Sequence, residues 1–240
     1  MTEPDGGTPA NAAERLAAGL DRVSERQVDA RMAAAHRLGD AARAAIERLM
    51  ATTAPPEVLV KAAEDLEALA DLLEAYDQTR SYEGLAEAAG AGHEEAFFDW
   101  SPLFGLANPL APPIRARIED GVVVGVARFG SAYEGPPGCL HGGLVAAAFD
   151  DVLGMTQSLS GQIGMTGDLR VRYRRPTPLH VDLRFEGRLV GVEGRKVTTH
   201  ATLHARGELL AEADGLFISV SQERFAAMAA NRVRPPRRRS

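Results

Sequence analysis

The sequence predicts an α+β protein in which an antiparallel sheet wraps around one central helix, preceded by helical segments. Residues 1–95 are rich in Ala, Glu, Arg and Leu, which are strong helix formers. Residues 114–129 and 163–220 contain six short stretches with strand-type patterns, separated by turn sequences. Between these two regions, residues 141–158 are apolar nearly all round, as expected for a buried helix. This helix is the natural cover for the apolar face of the sheet.

The N-terminal region is predicted to form a helical hairpin. Apolar residues recur with loosely helical spacing over residues 11–51, where Gly39 marks a potential break. Pro55 ends this segment, because the residue before a proline avoids helical backbone angles, and Pro56 suits the first turn of the next helix. Residues 57–76 place a leucine-rich stripe on one face. We expect this second helix to run antiparallel to the first.

The same patterns divide the chain into three parts. Residues 1–95 are a helical extension that ends in a linker, predicted over residues 78–96. Residues 96–222 are the α+β domain. Residues 223–240 are a C-terminal tail, whose proline-broken basic end, Arg-Pro-Pro-Arg-Arg-Arg-Ser, is predicted to be disordered.

Composition excludes several classes of protein. The net charge of −6 argues against a nucleic-acid partner. No apolar run reaches the length of a membrane span, and the N-terminal residues lack the pattern of a signal peptide. The single cysteine, Cys139, allows no intrachain disulfide, which fits a reducing compartment. The chain is therefore expected to be cytoplasmic.

One short motif carries the chemistry. His141, Gly142 and Gly143 open the buried helix, and Asp150 follows on the same element. Backbone N–H groups at a helix start favour negative charge, so this turn is suited to stabilising an oxyanion on a carbonyl. Asp150 offers a base, and the combination predicts hydrolysis of an activated acyl group. Asp151 is the alternative acid, but it points about 100° away around the helix.

The spacing of this motif predicts a dimer. Eight residues separate Gly142 from Asp150, which is about 12 Å of helix at ~1.5 Å per residue. A single acyl carbon cannot contact both groups within one chain. The two groups converge only where helices of two subunits run antiparallel, so each site would take Gly142 from one subunit and Asp150 from the other.

The order of elements and the spacing of these residues resemble the hotdog-fold acyl-CoA thioesterases. The likeness covers about residues 97–220 and is greatest to the branch with the phenylacetate-pathway thioesterases and the long-chain acyl-CoA hydrolases of the thioesterase superfamily. It rests on the Gly135–Asp150 segment, Thr166, the Tyr-Arg-Arg-Pro-Thr-Pro-Leu stretch at 173–179, and Glu193-Gly194-Arg195-Lys196. Gly135 departs from the phenylacetate-type pattern, which has an asparagine there.

The resemblance implies a role for each matched residue. Gly142 would polarise the thioester carbonyl, and Asp150 would act as general base or nucleophile. Thr166 would position the attacking water or assist the aspartate, while Arg195 and Lys196 would contact coenzyme A phosphates. His141 would orient the thioester or fix the loop, and Gly143 would allow close packing or substrate approach.

Two other groups of residues invite a functional interpretation that the sequence does not favour. Cys139 has no evident histidine–acid relay and is expected to be a buried structural thiol. His200 and His204 share one strand face, but no carboxylate or cysteine cluster completes a metal site. We therefore expect no metal and no redox cofactor, with coenzyme A entering only as part of the substrate.

The sequence leaves alternative functions and assemblies open. The first hypothesis is an acyl-CoA thioesterase that works as a homo-oligomer, either a dimer or a dimer of dimers. The second is a non-catalytic acyl-CoA-binding hotdog protein whose helical extension serves as an interaction module. A hotdog dehydratase is the third, and it would need a histidine–carboxylate pair arranged differently. The preferred acyl group is not readable from the sequence.

Overall fold

The computed structural model describes residues 29–76, 98–162 and 164–221, together with residues 224 and 227. The linker predicted at 78–96 and all but two residues of the predicted tail lie outside this part of the chain. The helices and strands within it are α1 (Ala30–Ala51), α2 (Pro56–Glu74), β1 (Arg115–Glu119), β2 (Val122–Arg128), α3 (Gly142–Ser158), β3 (Gly164–Tyr173), β4 (Asp182–Glu193), β5 (Lys196–Ala205) and β6 (Glu208–Ser219).

The six strands form one antiparallel sheet in the order β1-β2-β4-β5-β6-β3, and α3 packs against its inner face. Val152 and Leu153 of the helix are fully buried. Phe149 meets Phe185 of β4 edge to face, with ring centroids 5.4 Å apart. The predicted central helix and its surrounding sheet are confirmed, and the six strands lie within the two predicted regions, residues 114–129 and 163–220.

Helix α1 lies against the α+β domain. Gly39, predicted as a potential break, is buried in the middle of a continuous helix. A Cβ atom there would lie 2.7 Å from the carbonyl oxygen of Leu106. The glycine therefore permits a close approach of two backbones and does not interrupt the helix.

Polar contacts fasten this helix in place. Arg43 donates to the backbone carbonyls of Leu106 and Asn108, at 2.8 and 2.6 Å. One turn on, Glu47 accepts hydrogen bonds from the N–H and the hydroxyl of Ser131, at 2.8 and 2.7 Å. The Ser131 hydroxyl bond in particular lowers the pKa of the Glu47 carboxyl, so the ionised form is favoured.

Helix α2 is present as predicted, but its apolar stripe has no cover among the described residues. None of its residues is buried, and large side chains such as Leu66, Leu72 and Leu73 are exposed. The two N-terminal helices therefore do not pack along each other as a hairpin. The reason is that α1 directs its inner face towards the α+β domain. Among the described residues, no helix is long and apolar enough to cross a membrane.

Candidate active site

Among the described residues, one backbone amide at the start of α3 has no hydrogen-bond partner. His141 is the N-cap, and its Nδ1 accepts a hydrogen bond from the Gly143 N–H at 3.0 Å. The amides of Leu144 and Val145 donate to the His141 carbonyl. Within the described residues, the Gly142 N–H donates to no acceptor. It is therefore the amide free to bind an oxyanion at the positive end of the helix dipole.

The loop before the helix holds His141 from its other side. The His141 N–H donates to the carbonyl of Tyr133 at 2.9 Å. A Cβ atom on Gly135 would lie 2.8 Å from the Cα atom of His141, so a residue with a side chain at 135 would displace the turn. Gly135, where phenylacetate-type relatives carry asparagine, thus allows the loop to close on the N-cap. These contacts hold His141 in the loop, and its role in orienting the thioester stays a prediction.

Tyr173 is a residue of this site that the sequence reasoning missed. Its hydroxyl donates to the Gly142 carbonyl at 2.7 Å, so the end of β3 is joined to the start of α3. The signal was present, because Leu169, Val171 and Tyr173 alternate on the strand face that points towards the helix. The hydrogen bond orients the peptide that follows the free Gly142 N–H.

The structure brings together Asp150 and Thr166, the two residues that the family resemblance links. The Thr166 hydroxyl donates to Asp150 Oδ1 at 2.8 Å. The pairing of β3 with β6 shifts register between Thr166 and Asp168. A bulge of this kind re-aims the neighbouring side chain. The bond leaves Asp150 Oδ2 without a partner among the described residues, so it can accept a proton.

The free amide and the carboxylate lie at different places along one helix. Helix α3 is continuous from Gly142 to Ser158, so the estimate of about 12 Å between Gly142 and Asp150 holds. One carbonyl group cannot contact both within one chain. The candidate oxyanion donor and the candidate base therefore occupy two separate positions.

Asp151 has a different environment from its neighbour. It is half-buried, and the Ser101 hydroxyl donates to its Oδ2 at 3.3 Å. Burial first, and then the charge of Asp150, raise the pKa of the Asp151 carboxyl to about 7, while the Ser101 bond opposes them. At neutral pH a substantial share of Asp151 is therefore uncharged.

This raised pKa predicts that the protein loses stability as the pH rises. Between the ordinary carboxyl value of 3.8 and about 7, the folded chain binds more protons at Asp151 than the unfolded chain does, so the free energy of unfolding falls as the pH rises across that range. The Asp151→Asn variant has no carboxyl group at this position, so it lacks this fall in the free energy of unfolding. We expect the variant to have the higher thermal midpoint at about pH 8, with the difference shrinking at about pH 5. A constant difference between the two midpoints across this range would contradict the assignment.

The candidate phosphate-binding residues lie at the turn between β4 and β5. Arg195 is exposed, and its Nε donates to the carbonyl of Ser219 at 3.0 Å. Ser219 pairs with Gly164 at the start of β3, so Arg195 lies at the same end of the sheet as Thr166. Lys196 begins β5 and is also exposed. No described contact joins either cation to Asp150.

The residues with less favoured functional interpretations have structural partners. Cys139 was expected to be buried, but it is only half-buried, and it pairs with Pro178 in an isolated bridge. His200 bonds to Asp214 at 2.8 Å, and this contact is the main reason that the pKa of Asp214 is lowered. Among the described residues, no group of three or more His, Cys, Asp or Glu side chains is arranged to hold a metal ion.

A sheet wrapped around a helix, with a His-Gly-Gly turn and an Asp–Thr pair, is the arrangement expected of a hotdog thioesterase. The family model for the thioesterase superfamily matches residues 137–212. The crystal structure of protein RHA08564, a thioesterase superfamily protein, aligns with a TM-score of 0.69 and 34% sequence identity, covering 77% of this chain and 94% of that chain. The chain belongs to the thioesterase superfamily and has the hotdog fold.

The match to protein RHA08564 extends beyond the α+β domain. The alignment covers 77% of this chain, and residues 96–240 make up a smaller fraction than that. That structure therefore has a counterpart to part of the N-terminal extension.

Curated relatives match a shorter region. Acyl-coenzyme A thioesterase THEM4 of Bos taurus is 36% identical over 97 residues, which is 40% of each chain. Acyl-coenzyme A thioesterase THEM5 of Homo sapiens is 30% identical over 96 residues, covering 39% of each chain. The chain thus spans about two fifths of the length of these relatives.

Proposed function

We propose that the protein is an acyl-CoA thioesterase that hydrolyses its substrate to a free acid and coenzyme A. The hydrogen bond from Thr166 to Asp150 is the observation that carries the proposal, because it orients a carboxylate whose other oxygen is free. The unused Gly142 amide on the same helix supplies the oxyanion donor. The names of the THEM4 and THEM5 relatives support coenzyme A thioesters as the substrate class.

Each active site is proposed to combine two subunits. The separation of Gly142 from Asp150 along α3 supports this, since in the proposed reaction both act on one carbonyl. Strand β3 supports it further, because it is ten residues long and forms an edge of the sheet. A long open edge strand is suited to pairing with another chain. Thr166 lies on this strand, so an interface along it would bring a second subunit close to the Asp150–Thr166 pair.

The reaction proceeds in two steps. The thioester carbonyl oxygen accepts a hydrogen bond from the Gly142 N–H, and a water molecule beside Asp150 of the partner subunit attacks the carbonyl carbon as Asp150 takes its proton. The tetrahedral intermediate then collapses. Its C–S bond breaks, the electron pair stays on sulfur, and the proton passes from Asp150 to the coenzyme A thiolate. Direct attack by Asp150, through an anhydride that water then hydrolyses, uses the same groups.

Coenzyme A would be held outside this centre. Arg195 and Lys196 present cationic side chains that can bind its phosphates, and they lie at the sheet end near Thr166. Gly143 has no side chain to obstruct the thioester as it approaches the helix start. His141 holds the Gly143 amide and thereby keeps the turn in place.

The test is hydrolysis of a panel of acyl-CoA substrates, from short to long chains and including aromatic acyl groups, with a thiol-detecting reagent. Release of coenzyme A from at least one substrate is the expected result. Tight binding of acyl-CoA in a calorimeter without turnover on the same sample would instead establish the non-catalytic binding protein and overturn the proposal.

Tyr173→Phe is expected to lower kcat modestly. The substitution removes the hydrogen bond to the Gly142 carbonyl and keeps the ring, so the cost is about 1 kcal/mol, or about fivefold in rate. Since the bond holds the peptide that follows the oxyanion-binding Gly142 amide, KM should change little. Steady-state kinetics with the best substrate of the panel checks this. Equal kcat in the variant and the wild type would show that Tyr173 does not orient Gly142.

A further inference from the structure

Asp151 is an acid next to the candidate catalytic carboxylate that the proposed reaction does not use. It lies about 100° around α3 from Asp150, so the two carboxyl groups leave the same helical turn in different directions. Asp150 points towards Thr166, whereas Asp151 points towards Ser101. Asp150 is also the charged group that acts on Asp151. The turn of helix that carries Asp150 is therefore held from two sides.

Ser101 is a rigid partner for Asp151. It is fully buried, and its Oγ accepts hydrogen bonds from the amides of Leu103 and Phe104, both at 3.2 Å. Its carbonyl accepts from the Gly105 N–H at 2.9 Å. A Cβ atom at Gly105 would lie 2.5 Å from that carbonyl oxygen, so the turn is tight. The hydroxyl of Ser101 therefore donates its hydrogen to Asp151 from a fixed position.

The same short segment is anchored to the N-terminal extension. His36 of α1 places Nε2 2.7 Å from Oδ1 of Asp99, and Asp99 is only 2% exposed. The carbonyl of Asp99 in turn accepts from the Ala107 N–H at 2.8 Å. Asp99 and Ser101 are two residues apart. A connected series of polar contacts thus runs from α1 through this segment to the turn that carries Asp150.

We infer that Asp151 is a positioning residue for Asp150, fixing its turn of α3 through Ser101 to the segment on which the N-terminal extension is anchored. This inference rests on the proposed role of Asp150. The segment that holds Asp151 is itself in contact with α1 through His36.

The uncharged form of Asp151 suits this role. A protonated carboxyl, or an amide in its place, accepts the Ser101 hydrogen without setting a second negative charge beside Asp150. A small rotation of the turn would move Asp150 away from Thr166. Displacements of about 1 Å at a reacting group cost up to about 100-fold in rate, so even a partial loss of this support is measurable.

Steady-state kinetics at about pH 6.5 on four full-length variants tests the inference. We expect Asp151→Ala to lower kcat about tenfold with KM within about twofold of wild type, because only the placement of Asp150 changes. Asp151→Asn should restore kcat to within about twofold, since its amide oxygen accepts from Ser101. Ser101→Ala should resemble Asp151→Ala. Asp120→Asn, in an exposed turn, is the matched control and should equal wild type.

A second measurement does not depend on turnover. The carboxyl carbon resonance of Asp150, assigned by comparison with Asp150→Asn in ¹³C-aspartate-labelled protein, reports the Thr166 hydrogen bond. We expect it to shift in Asp151→Ala and to return towards the wild-type position in Asp151→Asn. If the wild type hydrolysed no acyl-CoA, the proposed reaction would fail, while this resonance would still decide whether Asp151 positions Asp150.

Two results would overturn the inference. The first is an Asp151→Ala protein with wild-type kcat and an unmoved Asp150 resonance. The second is a loss of kcat that matches a loss of folded protein by circular dichroism and that Asp151→Asn does not restore, because this would indicate a general structural role. Recovery in Asp151→Asn together with a kcat effect at constant KM supports the inference.

Discussion

Asp150→Asn is expected to lower kcat for acyl-CoA hydrolysis by about 10²–10⁴-fold, the usual contribution of a general base. An amide cannot take the proton of the attacking water, nor can it attack the thioester. The fold should be unaffected, because the Thr166 hydroxyl can still donate to the amide oxygen in place of Oδ1. KM should change little if coenzyme A is bound mainly by residues outside this centre.

The measurement is kcat with the best acyl-CoA of the panel, alongside circular dichroism to verify folding. Asp120→Asn serves as the control, since it makes the same chemical change in an exposed turn, at a left-handed residue that asparagine tolerates equally well. A folded Asp150→Asn protein with wild-type kcat would remove Asp150 from the reaction. The Gly142 amide alone would then have to account for hydrolysis.

The parts of the fold that depend on local patterns could be predicted from the sequence. The alternation of Leu169, Val171 and Tyr173 defined β3, and the apolar run after His141 defined α3. Both signals come from neighbouring residues, whose spacing decides which face is buried. The candidate site could be assembled from the sequence because His141, Gly142 and Asp150 lie at the start of and along one helical pattern, and the family resemblance added Thr166.

The parts that depend on contacts between distant residues could not be predicted. Nothing in the sequence near Ser101 indicates that its hydroxyl reaches Asp151, fifty positions later. A glycine at position 39 could either interrupt the helix or let two backbones approach closely. Only its contact with Leu106 in the structure shows that the second explanation applies. The apolar stripe of α2 predicts a partner, but periodicity does not say whether that partner is α1.

Gly142→Pro is expected to lower kcat by about 10²–10³-fold, the typical effect of losing one oxyanion donor. Proline lacks the backbone N–H, so the substitution removes that group and little else. The site accepts it, because proline is favoured at the first position of a helix, and His141 already has the extended backbone (φ −60°, ψ 130°) required before a proline.

Gly142→Ala is the matched control for that substitution. It adds a Cβ atom, as proline does, but keeps the amide. The added atom would lie 3.5 Å from the Tyr173 hydroxyl, an ordinary contact. We expect alanine to retain most of the wild-type kcat. Equal activity in the proline variant would show that the Gly142 amide does not bind the oxyanion.

Mixing the two inactive subunits decides whether the sites are composite. In a heterodimer of Gly142→Pro and Asp150→Asn chains, one site receives both substitutions and the other receives neither. Random pairing of co-expressed chains makes half of the dimers mixed, so about a quarter of wild-type activity should return. Sites built within single chains would stay inactive in any mixture, because every chain lacks one of the two groups. Recovered activity would therefore establish that each site takes Gly142 from one subunit and Asp150 from the other, since the two residues lie about 12 Å apart on one helix.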